Sequence, residues 1–223
     1  MKSLLSKVGY EPNPKTNVWS RPDYLGIDYD DGEVIEHRIA DIIEHASDIS
    51  VLSTELRQHC TDWPSLYHLS SARANILRPF QDILKAMNVL EIGSGCGAIT
   101  RYLGECGAHV LALEGAPRRA GIARSRTRDL PNVMVVSDRF DDFKWDHQFD
   151  VITLIGVLEY ANLFTSGEDP ALGMLQRVKA LLKPNGKLIM AIENQLGLKY
   201  FTGAPEDHLG QAMYGLEGRY RND

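Results

Sequence analysis

Residues 89–100, VLEIGSGCGAIT, read as a buried strand that runs into a glycine-rich turn and then a helix. Val89, Leu90 and Ile92 supply the apolar run of a central parallel strand. Gly93, Gly95 and Gly97 let the backbone turn tightly and approach a ligand with no Cβ in the way. A helical pattern resumes at Ala98, Ile99, Arg101, Tyr102 and Leu103, so the first N–H groups of that helix aim into the turn. This is the pattern of a nucleotide cradle. With Ala98 the spacing also satisfies GxGxxA, the dinucleotide form, so the residues downstream must decide what the turn holds.

Downstream, strands alternate with helices. Residues 108–113 form a second strand ending in Glu114, which lies 19 positions past Gly95. A carboxylate at that strand end can accept two hydrogen bonds from the vicinal diol of an adenosine ribose. A helix over 117–128 leads through Pro131 and Asn132 to a third strand, 133–137. Asp138 follows it, where a carboxylate can accept from an adenine amino group while Phe140 packs on the ring. FDVITLI, residues 149–155, is a fourth strand closed by Gly156. An amphipathic helix over 171–183 and the turn Pro184, Asn185, Gly186 precede a fifth strand, 187–192. The expected fold is α/β, a doubly wound Rossmann-like parallel sheet with its ligand at the carboxyl ends of the strands.

Before the glycine unit, residues 1–33 are rich in Pro, Asp and aromatics and read as an irregular arm. Its aromatics either dock the arm on the core or cover the acceptor site. Residues 33–59 carry helical spacing, in one helix or in two broken near 47–50. Thr61, Asp62 and Trp63 before Pro64 read as a cap opening a helix to about Met87. The chain is expected to divide into an N-terminal arm with helices, 1–75, and the nucleotide-binding domain, 76–223.

Charge and cysteines narrow the partners. With 24 Lys+Arg against 30 Asp+Glu the formal net charge is −6, which argues against a nucleic-acid surface. The one basic cluster, Arg118, Arg119, Arg124, Arg126 and Arg128, reads as the solvated face of a helix. No apolar run is long enough to span a bilayer and residues 1–10 show no signal-peptide pattern. Three cysteines without metal-type spacing, Cys60, Cys96 and Cys106, point to a reduced, cytoplasmic chain. Cys96 reads as a small residue tolerated in the turn, because no base is evident beside it.

VLEIGSGCGAITRYLGE, VLALEGAPRRAGIAR, VVSDRF, FDVITLIGVLEYA and LLKPNGKLIMAIEN, in this order, resemble the successive motifs of class I S-adenosylmethionine-dependent methyltransferases across residues 87–194. The tail ENQLGLKYFTGAPEDHLGQAMYGLEGRY and the earlier YHLSSARANILRP further resemble methyltransferase domains found beside glycosyltransferases in bacterial surface polysaccharide assembly. The resemblance implies S-adenosyl-L-methionine as cofactor, a small-molecule or glycan acceptor, and a glycosyltransferase domain or partner. It implies that Gly93, Ser94 and Gly95 line the methionine part of the cofactor, with Glu91 steadying the loop or the cofactor's amino group. Glu114 matches the ribose acid, Asp138, Arg139 and Phe140 the adenine stretch, and Ile155 and Gly156 the positions nearest the sulfonium. Tyr67 and Arg73 stand where they can reach the cofactor carboxylate, or are a packed Tyr and a surface Arg.

The expected reaction is methyl transfer to an oxygen of a sugar. Candidate general bases are Glu159, just past the fourth strand, and His208, with Asp207 orienting it. Glu206, Asp207 and His208 are adjacent with no further ligand set, so no metal site is expected. Only 30 residues follow Glu193, without strand-like alternation. The last strands of the sheet therefore read as missing, as in a truncated domain or a piece of a larger protein. The fifth strand is then an exposed edge open to a second chain, as in a homodimer. Two other readings stand beside this one: a nicotinamide-dependent nucleotide-sugar enzyme, which GxGxxA favours and the lack of Tyr-x-x-x-Lys disfavours, and a non-catalytic cofactor-binding scaffold domain.

Overall fold

A computed structural model of the chain describes residues 1–29, 31–164, 167–206 and 210–219. Residues 1–190 form one compact unit and residues 191–223 a second, small one. In the first unit, β1 (Glu11–Pro12), β2 (Trp19–Ser20), β3 (Asn88–Ile92), β4 (His109–Glu114), β5 (Val133–Ser137), β6 (Phe149–Ile155) and β7 (Leu182–Ala191) make one sheet in the order β1-β2-β5-β4-β3-β6-β7. The ladders joining β2, β5, β4, β3 and β6 are parallel. Central β3 lies between β4 and β6, with Val89 opposite Val110 on one side and Val151 on the other.

The apolar runs read from the sequence fill both faces of this sheet. Leu90, Ile92, Leu111, Leu113, Ile152 and Leu154 face one core, and Val89, Val110, Ala112, Val133, Val135 and Val151 the other. Period-2 alternation between two apolar cores is what a parallel strand covered on both faces requires. The covering helices are α1 (Lys2–Lys7), α2 (Glu33–His45), α3 (Thr54–Gln58), α4 (Trp63–Leu69), α5 (Gln81–Leu84), α6 (Ala98–Glu105), α7 (Pro117–Arg126), α8 (Ala161–Phe164) and α9 (Pro170–Leu181). No helix among the described residues is long and apolar enough to cross a membrane. In the second unit, α10 (Leu198–Phe201) precedes an isolated antiparallel bridge between Pro205 and Ala212, and no further strand occurs among the described residues.

Four sequence expectations change. The arm is not irregular throughout: it forms α1 and places β1 and β2 on the sheet edge beyond β5. The helix expected from Asp62 to Met87 starts as foreseen, with Asp62 capping Ser65 N–H at 2.9 Å, but ends at Leu69. There Ser70 turns extended, ψ 139°, and its hydroxyl takes Ala72 N–H, offering the backbone an alternative to the helix. The fifth strand runs from Leu182 to Ala191 with Asn185 at φ 66° within it.

The arginine cluster is the largest correction. Arg119, Arg124 and Arg126 are 6%, 9% and 1% exposed, not a solvated face. Each guanidinium group makes at least one hydrogen bond inside, while Arg126 Nε is buried without one. Arg119 donates to Glu36 at 2.6 Å, Arg124 to Val133 O at 2.9 Å, and Arg126 to His68 O. Arg128 reaches Ile43 O at 2.9 Å and Ala46 O at 2.8 Å, the last carbonyls of α2. A planar group with five donors suits free carbonyls at a helix end and buried carboxylates, so α7 uses its arginines to hold the N-terminal helical layer.

Candidate active site at the carboxyl ends of the strands

The glycine turn is tied to β4 by the N–H groups of Gly93 and Ser94, which both donate to Leu113 O at 2.9 and 3.1 Å. Gly97, at φ 82°, backs so closely on α7 that a Cβ would lie 2.8 Å from Ala123 Cα. Gly95, at φ 52°, has nothing within 4 Å of its Cβ position, so the turn is open on that side. Glu114 is 6% exposed, and its carboxylate accepts Gly95 N–H at 2.7 Å and Ala116 N–H at 2.9 Å. Burial pushes this carboxyl up, and the two N–H groups pull against it. One N–H on each oxygen leaves lone pairs for further donors.

Glu91, inside β3, is buried as well, and burial pushes its carboxyl up to about 7. The charge of Glu114 adds to this rise and that of Arg73 opposes it. Glu91 Oε2 and Ser94 Oγ are buried without a hydrogen-bond partner. Buried orphan acceptors beside an open turn are where a ligand's polar groups belong.

Beyond the end of β6 the structure brings Gly156 and Glu159 together with Tyr67, which the sequence paired only with Arg73. Gly156 has φ 66°, and a Cβ on it would stand 3.5 Å from Glu159 Oε1 and 3.7 Å from Tyr67 Oη. Arg73 donates to Tyr67 Oη at 3.0 Å, with its guanidinium carbon 4.0 Å from the ring centroid. Among the described residues Arg73 has no carboxylate within ion-pair distance, which leaves most of its donors for a ligand. Tyr160 meets Tyr29 edge-on at 5.1 Å, adding two phenols to this mouth. Ile155 is half-buried on the strand behind it.

The adenine stretch differs from expectation in its partners. Asp138 accepts from Tyr10 Oη, from Arg21 Nε at 3.0 Å and Nη2 at 2.7 Å, and from Arg139 N–H at 2.9 Å. Phe140 is buried, with the Arg177 guanidinium 5.4 Å from its centroid. Cys96 is buried and its thiol is pushed up by burial, which makes it a poor nucleophile. Asp207 and His208 lie outside the described residues.

Residues 90–188, from within β3 through β6 and into β7, match the family model described as "Methyltransferase domain". Over these residues the chain is similar to a methyltransferase domain. The class of domain uses S-adenosylmethionine. The ribosomal RNA small subunit methyltransferase A of Streptococcus equi subsp. zooepidemicus is 44% identical over 66 residues, 28% of this chain and 23% of the relative. That of Streptococcus uberis is 39% identical over 80 residues, covering 34% and 27%. The chain therefore spans about a quarter of the length of these curated relatives. Among solved structures, the N-methyltransferase NodS from Bradyrhizobium japonicum WM9 with S-adenosyl-L-homocysteine superposes with a TM-score of 0.49 at 20% identity, covering 70% of this chain and 71% of the other. CalS10, an amino pentose methyltransferase from Micromonospora echinaspora, gives 0.45 at 24% identity, covering 60% and 52%.

The glycine turn fits that cofactor. Open space at Gly95, orphan acceptors on Glu91 and Ser94, and spare lone pairs on Glu114 answer an amino acid joined to an adenosine ribose. Reading the sequence missed Tyr10, Arg21, Tyr24, Tyr29 and Tyr160 as individual site residues. The signal for the first four was the density of aromatic and charged residues in an arm that otherwise had no period.

Proposed function

We propose that the chain transfers a methyl group from S-adenosylmethionine to a hydroxyl of a sugar in a surface glycan. The observation that carries this reading is the convergence of Glu159 and Tyr67 on Gly156, beside the Glu91, Gly95 and Glu114 cradle. When bound, the cofactor supplies an electrophilic methyl on a sulfonium. The chain's own part is alignment and proton removal. Glu91 and Ser94 take the amino group, Arg73 and Tyr67 the carboxylate, and Glu114 the ribose hydroxyls. Asp138, Arg139 and Phe140 flank the adenine. Ile155 and Gly156 leave room for the sulfonium and methyl, and Glu159 accepts the proton of the attacking hydroxyl. The phenols of Tyr29, Tyr67 and Tyr160 offer hydrogen bonds to a polyhydroxylated ring.

The surface-glycan setting, a cytoplasmic location and a glycosyltransferase domain or partner are supported by the likeness of the tail and by three unbridged cysteines. The edge position of β7, with Leu188 and Met190 partly exposed, supports pairing with a second copy. The test is transfer of labelled methyl to a panel of sugars and nucleotide sugars, using the intact chain and Glu159→Gln. Turnover should fall about 100-fold in the variant while S-adenosylhomocysteine affinity holds. Equal turnover would remove Glu159 from the mechanism, and no labelled sugar at all would remove the acceptor class.

A further inference from the structure

The acid that follows β5 has no capacity left for an adenine amino group. A carboxylate offers about four lone-pair sites. On Asp138, Oδ1 takes Arg21 Nη2 at 2.7 Å and Arg139 N–H at 2.9 Å, while Oδ2 takes Arg21 Nε at 3.0 Å and Tyr10 Oη. Its side chain is 0% exposed. The backbone makes this arrangement: β2 runs parallel to β5 with Ser20 opposite Ser137, so the next residue, Arg21, stands level with Asp138.

From that anchor the arm crosses the ends of the neighbouring strands. Tyr24 Oη and Ile27 N–H both donate to Gly115 O, at 2.6 and 3.2 Å, directly after Glu114. Packing is tight enough that a Cβ on Gly115 would lie 2.5 Å from Ile27 Cδ1, and one on Gly26 2.5 Å from Pro117 Cδ. Tyr29 then reaches Tyr160 beyond β6, and Asp31 is held by His68 at 2.6 Å and Arg119 at 2.8 Å.

We infer that Asp138 is a latch for the N-terminal arm and not the reader of adenine, and that Arg21 and Tyr10 are positioning residues that make residues 21–29 a wall of the adenosine pocket. This rests on the cofactor reading above, and S-adenosylhomocysteine binding to the unaltered chain tests that reading separately. Given binding, Arg21→Ala should raise the dissociation constant and the dissociation rate about tenfold, the scale of a lost charge-assisted hydrogen bond. Arg21→Lys should recover part of the loss. Hydrogen exchange across residues 10–29 should quicken in the alanine variant.

The second arm of the test compares S-adenosylhomocysteine with S-inosylhomocysteine, in which a carbonyl replaces the amino group. A latch leaves the ratio of the two affinities the same in the unaltered chain and in Asp138→Asn. A ratio that collapses toward one in Asp138→Asn would assign Asp138 to the adenine and overturn the proposal. Should that variant fail to fold, an unchanged dissociation rate in Arg21→Ala would overturn it equally.

Discussion

Glu114 closes β4 and Asp138 follows β5, so two nearly wholly buried acids stand side by side at the ends of adjacent strands. Their partners separate them. Among the described residues Glu114 is held by two backbone N–H groups from nearby in its own sheet, one to each oxygen, and keeps lone pairs to spare. Asp138 is saturated, chiefly by side chains that arrive from more than 100 residues earlier in the chain. A strand-end acid is thus a ligand group or a structural anchor according to what the rest of the chain brings to it. The domain's motif alone does not decide which.

That contrast can be broken at either acid. The largest effect is expected from Asp138→Ala, which strands the Arg21 guanidinium and the Tyr10 hydroxyl. It should cost about 3 kcal/mol of stability in urea denaturation, and a loss near zero would mean that the arm is not anchored there. Glu114→Ala should do the reverse. Removal of a desolvated carboxylate offsets the two N–H groups left behind, so stability should move by about 1 kcal/mol or less. Affinity for S-adenosylhomocysteine should fall about 100-fold as two ribose hydrogen bonds are lost. A variant that unfolds yet binds normally when folded would exchange the roles assigned to the two acids.

The third and smallest effect concerns Glu91. Its carboxyl stands at about 7 in the folded chain against an ordinary 4.5, because it is buried, with Glu114 adding to the rise and Arg73 opposing it. Between those two values the folded state holds the proton that the unfolded state has lost. Its contribution to stability therefore falls as pH rises through that window and levels off above it. With the cofactor's ammonium on ionised Glu91, as proposed, affinity for S-adenosylhomocysteine should rise about tenfold between pH 6 and pH 8. Titrations at both pH values check this, and the same slope in Glu91→Gln would assign the pH dependence elsewhere.

The alternating strands and helices from Val89 to Ile155 were legible because each carries its own period and its own punctuation. Glu114 was legible because its distance from Gly95 follows from one strand, one turn and one helix. The arm was not. Two-residue strands have no period to read, and the meeting of Arg21 with Asp138 depends on a register between segments 117 positions apart. The basic run on α7 misled for a related reason. Helical spacing places arginines on a face but does not say whether that face meets water or, as here, the carbonyls of α2 and the carboxylate of Glu36. Tyr67 and Arg73 were legible as a pair, but Arg73 reaches Tyr67 across the break at Ser70, and the nearness of Tyr67 to Gly156 is a long-range contact that no local period announces.

The cradle formed by Glu91, Gly95 and Glu114 is tested most directly by calorimetric titration of the intact chain with S-adenosylhomocysteine, with NAD and NADP titrated in parallel. Micromolar binding of S-adenosylhomocysteine, weakened about 100-fold by Glu114→Ala and absent for both nicotinamide cofactors, is the expected result. Binding of NAD or NADP, or S-adenosylhomocysteine binding that is indifferent to Glu114→Ala, would contradict it.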